Sequence, residues 1–150
     1  MTRLSTIAPF LFVLALSLVG CASQPATKTF HVDLAGSHEV PPVNSPASGT
    51  AYLAFEPMSK QLTWKISYTG LTSEPTGAHI HGPARPGDNA GVLINLAPNG
   101  MKNPLEGSAT LTDEQIDYLM LGRCYINIHT SQNKGGEIRG QIAPYGASMM

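Results

Sequence analysis

Apolar and polar residues alternate along several short stretches of this chain, and this period of two constrains the fold more than any other feature. In the clearest stretch, threonine, lysine and serine separate the four apolar residues Leu62, Trp64, Ile66 and Tyr68. This alternation is typical of a β-strand that buries one face and exposes the other. The chain is therefore expected to fold around β-sheet.

Similar patterns, separated by turn residues, predict further strands. We expect them at residues 29–34, 50–56, 77–81, 91–97, 105–111, 123–130 and 137–143. Turn-forming residues at 56–60 should join the second strand to the Leu62–Tyr68 strand as a hairpin. The continuous apolar content of 91–97 favours a place in the core.

One short helix is expected after residue 111. Thr112 and Gln115 form a capping-box pattern, an apolar stripe at i, i+3 and i+4 begins at Ile116, and Gly122 can end the helix. About eight short strands with one helix predict an all-β fold. The expected architecture is an antiparallel, Greek-key-like β-sandwich or barrel.

The N-terminal region has the pattern of a secretion signal. A short basic start is followed by an apolar run from Ile7 to Val19, which is too short for an ordinary membrane span. The run ends in Leu18-Val19-Gly20-Cys21, which resembles the bacterial lipobox, in which the cysteine becomes the lipidated N-terminus. This resemblance predicts a lipoprotein anchored in the cell envelope, at the outer membrane facing the periplasm. The expected organisation is a signal peptide at 1–20, a lipidated tether at 21–28, a domain at 29–144 and a flexible tail at 145–150.

Charge and cysteine content exclude several classes of function. The chain carries 9 basic and 10 acidic residues without a basic block, so nucleic-acid binding is not expected. If Cys21 is lipidated, Cys124 has no intramolecular partner, and alternation places its side chain on the apolar face of its strand. Nucleophilic catalysis is not favoured, because no nucleophile elbow or evident base accompanies Cys124.

The candidate chemistry lies in histidines. His79 and His81 are two residues apart on a predicted strand and should point to the same side. His129 lies on a later strand, and His38 lies in a proline-rich loop that could supply a fourth ligand. Imidazoles bind copper and zinc well, so these residues are the predicted metal ligands. The alternative is that the histidines are structural and bond to backbone carbonyls.

Other polar residues are candidates for supporting roles. Glu39 could supply an oxygen ligand or hydrogen-bond a metal-bound imidazole, and Asn127 shares the predicted strand face of His129 and could support the site. The favoured interpretation of Asn127 is a residue that bonds to backbone near a strand end. Glu137 and Arg139 share one strand face, where we expect an ion pair or the rim of the sheet.

Several segments resemble CHRD domains. Glu39–Pro42 (EVPP), His79–Pro83 (HIHGP), Tyr125–Thr130 (YINIHT) and Gly136–Gln141 (GEIRGQ) are similar to motifs of this family and follow in the same order. The resemblance spans about residues 30–143. It implies an immunoglobulin-like or dismutase-like sandwich and says little about activity.

Three functions are therefore considered. The first is an envelope lipoprotein that binds copper, with zinc as the other candidate, for copper buffering, delivery or tolerance. The second is a non-enzymatic adhesion or scaffold module with structural histidines. The third is dismutase-like redox activity, because the His-x-His strand resembles the copper half of copper/zinc superoxide dismutase; five histidines are too few to assemble its full metal set.

Overall fold

A computed structural model describes residues 25–143 of the protein. The strands are β1 (Lys28–Ala35), β2 (Ser48–Glu56), β3 (Gln61–Thr69), β4 (Pro75–His81), β5 (Val92–Asn95), β6 (Leu105–Thr110), β7 (Cys124–Thr130) and β8 (Ile138–Ile142). A single 3-10 turn, Gly36–His38, follows β1, and helix α1 (Asp113–Met120) lies between β6 and β7. The predictions for the signal peptide at 1–20, for lipidation of Cys21 and for the tail at 145–150 lie outside the described residues.

The eight strands form one antiparallel sheet in the order β5-β4-β7-β8-β1-β2-β3-β6, which curls into a nearly closed barrel. Strands β1, β2 and β3 form a continuous meander, and the predicted hairpin at residues 56–60 is confirmed by the pairing of Glu56 with Gln61. Strands β1 and β8 join the two halves of the sheet, with Ala35 paired to Arg139. The all-β prediction is confirmed.

The core follows from the alternation seen in the sequence. Leu62, Trp64 and Ile66 of β3 are buried, as are Ile126 and Ile128 of β7, while intervening residues of β3 face outward. The Trp64 indole N–H donates to the carbonyl of Leu96 at 3.2 Å, so the largest core side chain keeps its polar group bonded. Burial of these side chains inside the curled sheet supplies the main driving force for the fold.

Strand β5 corrects one expectation. The apolar run at 91–97 does not form a central strand: β5 has only 4 residues and lies at an edge of the sheet. Val92 is exposed, Leu93 and Ile94 are half-buried, and only Leu96 just beyond the strand is buried. A short apolar run does not reveal whether its strand has neighbours on both sides, which is why the periodicity misled here.

Helix α1 has the predicted signals. The Gln115 N–H donates to Thr112 Oγ1, and the Thr112 N–H donates to Gln115 Oε1, which completes the capping box. Leu119 is buried against the core, and Gly122 adopts φ of +68° just after the helix. Within residues 25–143, no helix is long and apolar enough to cross a membrane.

Candidate metal centre

Strands β4 and β7 bring the predicted histidines together on the outer face of the sheet. In β4, Ala78 and Ile80 enter the core, so His79 and His81 leave on the other side. In β7, Ile128 enters the core and His129 joins the same outer face. The antiparallel register pairs Gly77 with His129, which sets the His129 side chain diagonally beside that of His79.

The three imidazoles converge on one small volume. A ligand nitrogen from each of His79, His81 and His129 lies within 4.8 Å of those of the other two. The closest pair is His79 Nδ1 and His129 Nε2, which are 3.0 Å apart. Nitrogens on one tetrahedral metal are about 3.3 Å apart for bonds of about 2.0 Å. Small ring rotations would therefore place all three donors around one ion.

Two backbone carbonyls fix how the imidazoles are protonated. Nδ1 of His81 lies 3.0 Å from the Ala90 carbonyl oxygen, and Nδ1 of His129 lies 2.9 Å from that of Lys134. A carbonyl only accepts, so both Nδ1 atoms carry the proton and both Nε2 atoms present a lone pair. His79 Nδ1 then donates its N–H to His129 Nε2. This is the arrangement in which outer hydrogen bonds orient metal-binding imidazoles.

The Nε2 atom of His81 has an unused lone pair. This atom is buried and makes no hydrogen bond within the described residues. Burial lowers the pKa of His79 below its ordinary value of 6.5, and the neighbouring His129 and His81 lower it further. Burial also lowers the pKa of His81, an effect partly opposed by the hydrogen bond to Ala90. Both rings are therefore neutral at neutral pH, which is the state that binds metal.

Gly77 has no side chain and therefore leaves room for the rings of His79 and His129. A Cβ atom at this position would lie 3.2 Å from Cε1 of His79 and 3.9 Å from Cδ2 of His129. The absence of a side chain opposite His129 therefore lets the two imidazoles approach each other across the strand pair.

A stack of side chains supports His81 on its other side. The Tyr125 ring lies parallel to the His81 ring, with centroids 4.9 Å apart and 6° between the planes. The Arg139 guanidinium carbon lies 3.4 Å from the centroid of the Tyr125 ring, a cation–π contact. Arg139 also donates to Asn89 Oδ1 at 2.9 Å and to the Asp88 carbonyl at 2.7 Å. The stack thereby holds the loop that supplies the Ala90 carbonyl.

His38 lies outside the group of three histidines. It is exposed, and its Nδ1 donates to the Arg139 carbonyl oxygen at 3.1 Å. Its role as a fourth ligand therefore stays a prediction.

Glu39 and Asn127 are buried beside the cluster. A Cβ atom at Gly136 would collide with the carboxylate of Glu39 and the amide of Asn127, so both side chains end against this glycine. Asn127 Nδ2 donates to the Gly135 carbonyl at 3.1 Å, as expected for a residue that bonds to backbone. Burial raises the pKa of Glu39 to about 7, although Arg139 and Asn127 act to lower it. Neither residue belongs to the ligand group, so both are candidates for an outer supporting role.

The expectation that Glu137 and Arg139 form an ion pair or the rim of the sheet is wrong. They are 0% and 2% exposed, respectively, and not a solvated rim. Within residues 25–143 they form no ion pair with each other. Glu137 instead accepts hydrogen bonds from hydroxyl groups of Ser45 and Thr130. Sequence reasoning identified the shared strand face of these two residues but missed their burial and their hydrogen-bond partners.

Cys124 takes no part in the centre. It is a free, buried thiol on the core side of β7, and burial raises its pKa to about 12. The expectation that the Cys124 side chain lies on the apolar face of its strand is confirmed.

Comparison with known proteins agrees with the family resemblance seen in the sequence motifs. The chain matches the model of the CHRD domain family over residues 30–142. It is 31% identical over 119 residues to chordin of Danio rerio and 30% identical over 123 residues to chordin of Xenopus laevis. Each match covers 74% of this chain but 12% of the relative, so the chain spans about an eighth of the length of these proteins. No solved structure matches.

Proposed function

The chain belongs to the CHRD domain family, and we propose that it is a lipid-anchored protein of the bacterial envelope that binds copper through His79, His81 and His129. The observation that carries the proposal is the convergence of three imidazole nitrogens within 4.8 Å of one another. Carbonyls of two loops already hold the rings of His81 and His129 with Nε2 unprotonated. Such prior orientation reduces the cost of binding an ion. For an ion to bind between His79 Nδ1 and His129 Nε2, the hydrogen that joins these two atoms would move to His79 Nε2.

The donor set favours copper. The group consists of three imidazole nitrogens and contains no carboxylate or thiolate. Cu(II) binds such sites more tightly than Zn(II) and other divalent first-row metals, and imidazole suits it well. Zinc is the second candidate metal. His79 and His129 are half-exposed, so a bound ion could exchange with solvent or a partner. Exchange suits buffering, delivery or tolerance of copper better than a purely structural ion.

The membrane anchor rests on the sequence alone. The basic start, the apolar run and Leu18-Val19-Gly20-Cys21 resemble a lipoprotein signal, and Ala22 after the cysteine favours the outer membrane. The exposed residues Pro25 to Thr27 precede β1 and would serve as the end of a tether. Labelling with a radioactive fatty acid, compared between the natural chain and a Cys21→Ala variant, tests this part of the proposal.

Titration of the purified, metal-free protein with Cu(II) tests the metal site. We expect one Cu(II) per chain, with nitrogen hyperfine splitting in the electron paramagnetic resonance spectrum. A His79→Ala/His81→Ala variant should lose this signal. His31→Ala is the matched control, because His31 is an exposed imidazole that stacks on Tyr52 outside the cluster. A His38→Ala variant shows whether His38 adds a fourth nitrogen.

A scaffold or adhesion function is the second candidate, and one observation favours it. His81 and His129 each hold a loop through a backbone carbonyl, which structural histidines would also do. If the folded protein takes up no Cu(II) or Zn(II), or if the double variant binds Cu(II) with the same spectrum, the metal proposal is wrong. The melting temperature of the double variant should then fall, because the loop that carries Ala90 loses its attachment to His81.

A further inference from the structure

A second site lies beside the histidine cluster, on the outer face of β1 and β8. A cavity of about 640 Å³ opens there between the loop after β1 and the loop after β4. This volume lies within the range of small-molecule pockets in proteins. Val40, Pro42 and Pro86 supply apolar walls, while Asp33, Arg139 and Gln141 are among the polar lining residues.

Arg139 gives the cavity a buried positive charge. Its side chain is 2% exposed, and within the described residues no carboxylate oxygen lies within 4 Å of its guanidinium nitrogens. Its hydrogen-bond acceptors are the neutral oxygens of Asn89 and Asp88, the latter a backbone carbonyl. A buried guanidinium without an ion-pair partner is costly, and a bound carboxylate would relieve that cost.

The same cavity also carries a negative group that a bound molecule can reach. Asp33 lines the cavity, and its side chain is 74% exposed. Within the described residues no lysine or arginine pairs with it. A bound molecule should therefore bring a positively charged hydrogen-bond donor as well as a negative group.

We infer that this cavity binds a small molecule that carries a carboxylate beside an amine, of which a free amino acid with an apolar side chain is the simplest. The carboxylate pairs with Arg139, the ammonium group donates to the carboxylate of Asp33, and the apolar side chain contacts Val40, Pro42 and Pro86. This inference does not depend on metal binding, because none of these residues belongs to the histidine group.

Binding is tested by nuclear magnetic resonance on metal-free, isotope-labelled protein titrated with L-leucine. The side-chain signals of Arg139 and Gln141 should shift and saturate. Acetate and methylammonium, which carry one half of the recognised chemistry each, should bind at least about tenfold more weakly, since each loses charged hydrogen bonds. Inorganic phosphate serves as a bare anion and should also bind weakly.

Two variants separate the cavity from the rest of the fold. Ser37→Trp fills the cavity from an exposed lining residue and should abolish binding of L-leucine. Ser59→Trp, in the exposed turn between β2 and β3, is the matched control and should bind like the natural chain. The inference is overturned if L-leucine gives no saturable shift, if Ser37→Trp binds unchanged, or if phosphate binds as tightly as L-leucine.

Discussion

Replacing Glu137 with glutamine should destabilise the fold by about 3 kcal/mol at neutral pH. Glu137 is fully buried, yet its partners are all hydrogen-bond donors. It accepts from Ser45 Oγ at 2.7 Å, from the Thr72 N–H at 2.8 Å and from Thr130 Oγ1 at 2.7 Å. Further donors are Thr72 Oγ1 and Asn133 Nδ2. A glutamine amide would turn one donor group toward these donors and lose the negative charge.

The magnitude follows from the pKa of Glu137. Burial acts to raise this pKa, but hydrogen bonds from Ser45, Thr130 and Thr72 outweigh it and lower the pKa from 4.5 to about 2. At about 1.4 kcal/mol for each pH unit, this difference corresponds to about 3 kcal/mol of preference for the folded state when the group is ionised. A loss of that size should lower the melting temperature by roughly 10 °C for a domain of this length.

The pH dependence gives an independent check. Because the folded pKa lies below the unfolded one, this stabilisation is present above pH 4.5 and is lost as the pH falls toward about 2. Denaturant unfolding of the natural chain and Glu137→Gln should therefore differ by about 3 kcal/mol at neutral pH and converge in acid.

Glu74→Gln is the matched control, because Glu74 is exposed in the segment before β4. It should leave the unfolding free energy nearly unchanged. The reasoning is refuted if Glu137→Gln melts at the same temperature as Glu74→Gln, or if its stability difference from the natural chain persists at acid pH.

Two further substitutions test core packing and helix capping, and one labelling experiment tests the burial of Cys124. Gly107→Ala should cost about 1–3 kcal/mol, since a Cβ would lie 2.6 Å from Cζ2 of Trp64, whereas Gly135→Ala meets nothing within 4 Å and should be nearly neutral in thermal unfolding. Thr112→Ala should cost about 1 kcal/mol in denaturant unfolding, because it removes the helix N-cap. Cys124 should not react with a thiol-specific dye in the native protein but should react fully in denaturant, because its pKa is about 12 and it is buried.

The sequence predicted the strands and the histidine face for a local physical reason. Alternation is a property of successive residues, so Ile80 in the core requires His79 and His81 on the outside. The capping box of α1 is also local, since Thr112 and Gln115 are three residues apart. Convergence of His129 with the first two histidines also required β4 and β7 to pair, which the local sequence pattern does not record.

The burial of Glu137 and Arg139 could not be predicted in the same way, because it depends on loops that are distant in the sequence. Glu137 and Arg139 occupy positions that alternation assigns to the outer face, and an outer face is exposed unless something covers it. Here loops from distant parts of the chain do so: Ser45 and Thr72 reach Glu137, and Asn89 reaches Arg139. No periodicity of the β8 sequence records which loop lies above it, so both burial and pairing were misjudged.

These two buried charges explain how an outer sheet face can hold a metal-binding geometry. Glu137 accepts hydrogen bonds from Thr130 and Asn133, which precede Lys134 in the loop that offers the Lys134 carbonyl to His129. Arg139 supports the loop after β4 in the same way, because it donates to Asn89 and to the Asp88 carbonyl. The next residue, Ala90, offers the carbonyl that orients His81.

Each loop carbonyl that orients a ligand thus depends on a buried charged residue outside the ligand group. An Arg139 variant would consequently disturb both the cavity and His81, because one guanidinium serves the two sites. Filling the cavity at Ser37 leaves Arg139 and its bonds to Asp88 and Asn89 in place. Copper uptake by Ser37→Trp should therefore equal that of the natural chain, which separates loss of the small-molecule site from loss of the metal centre.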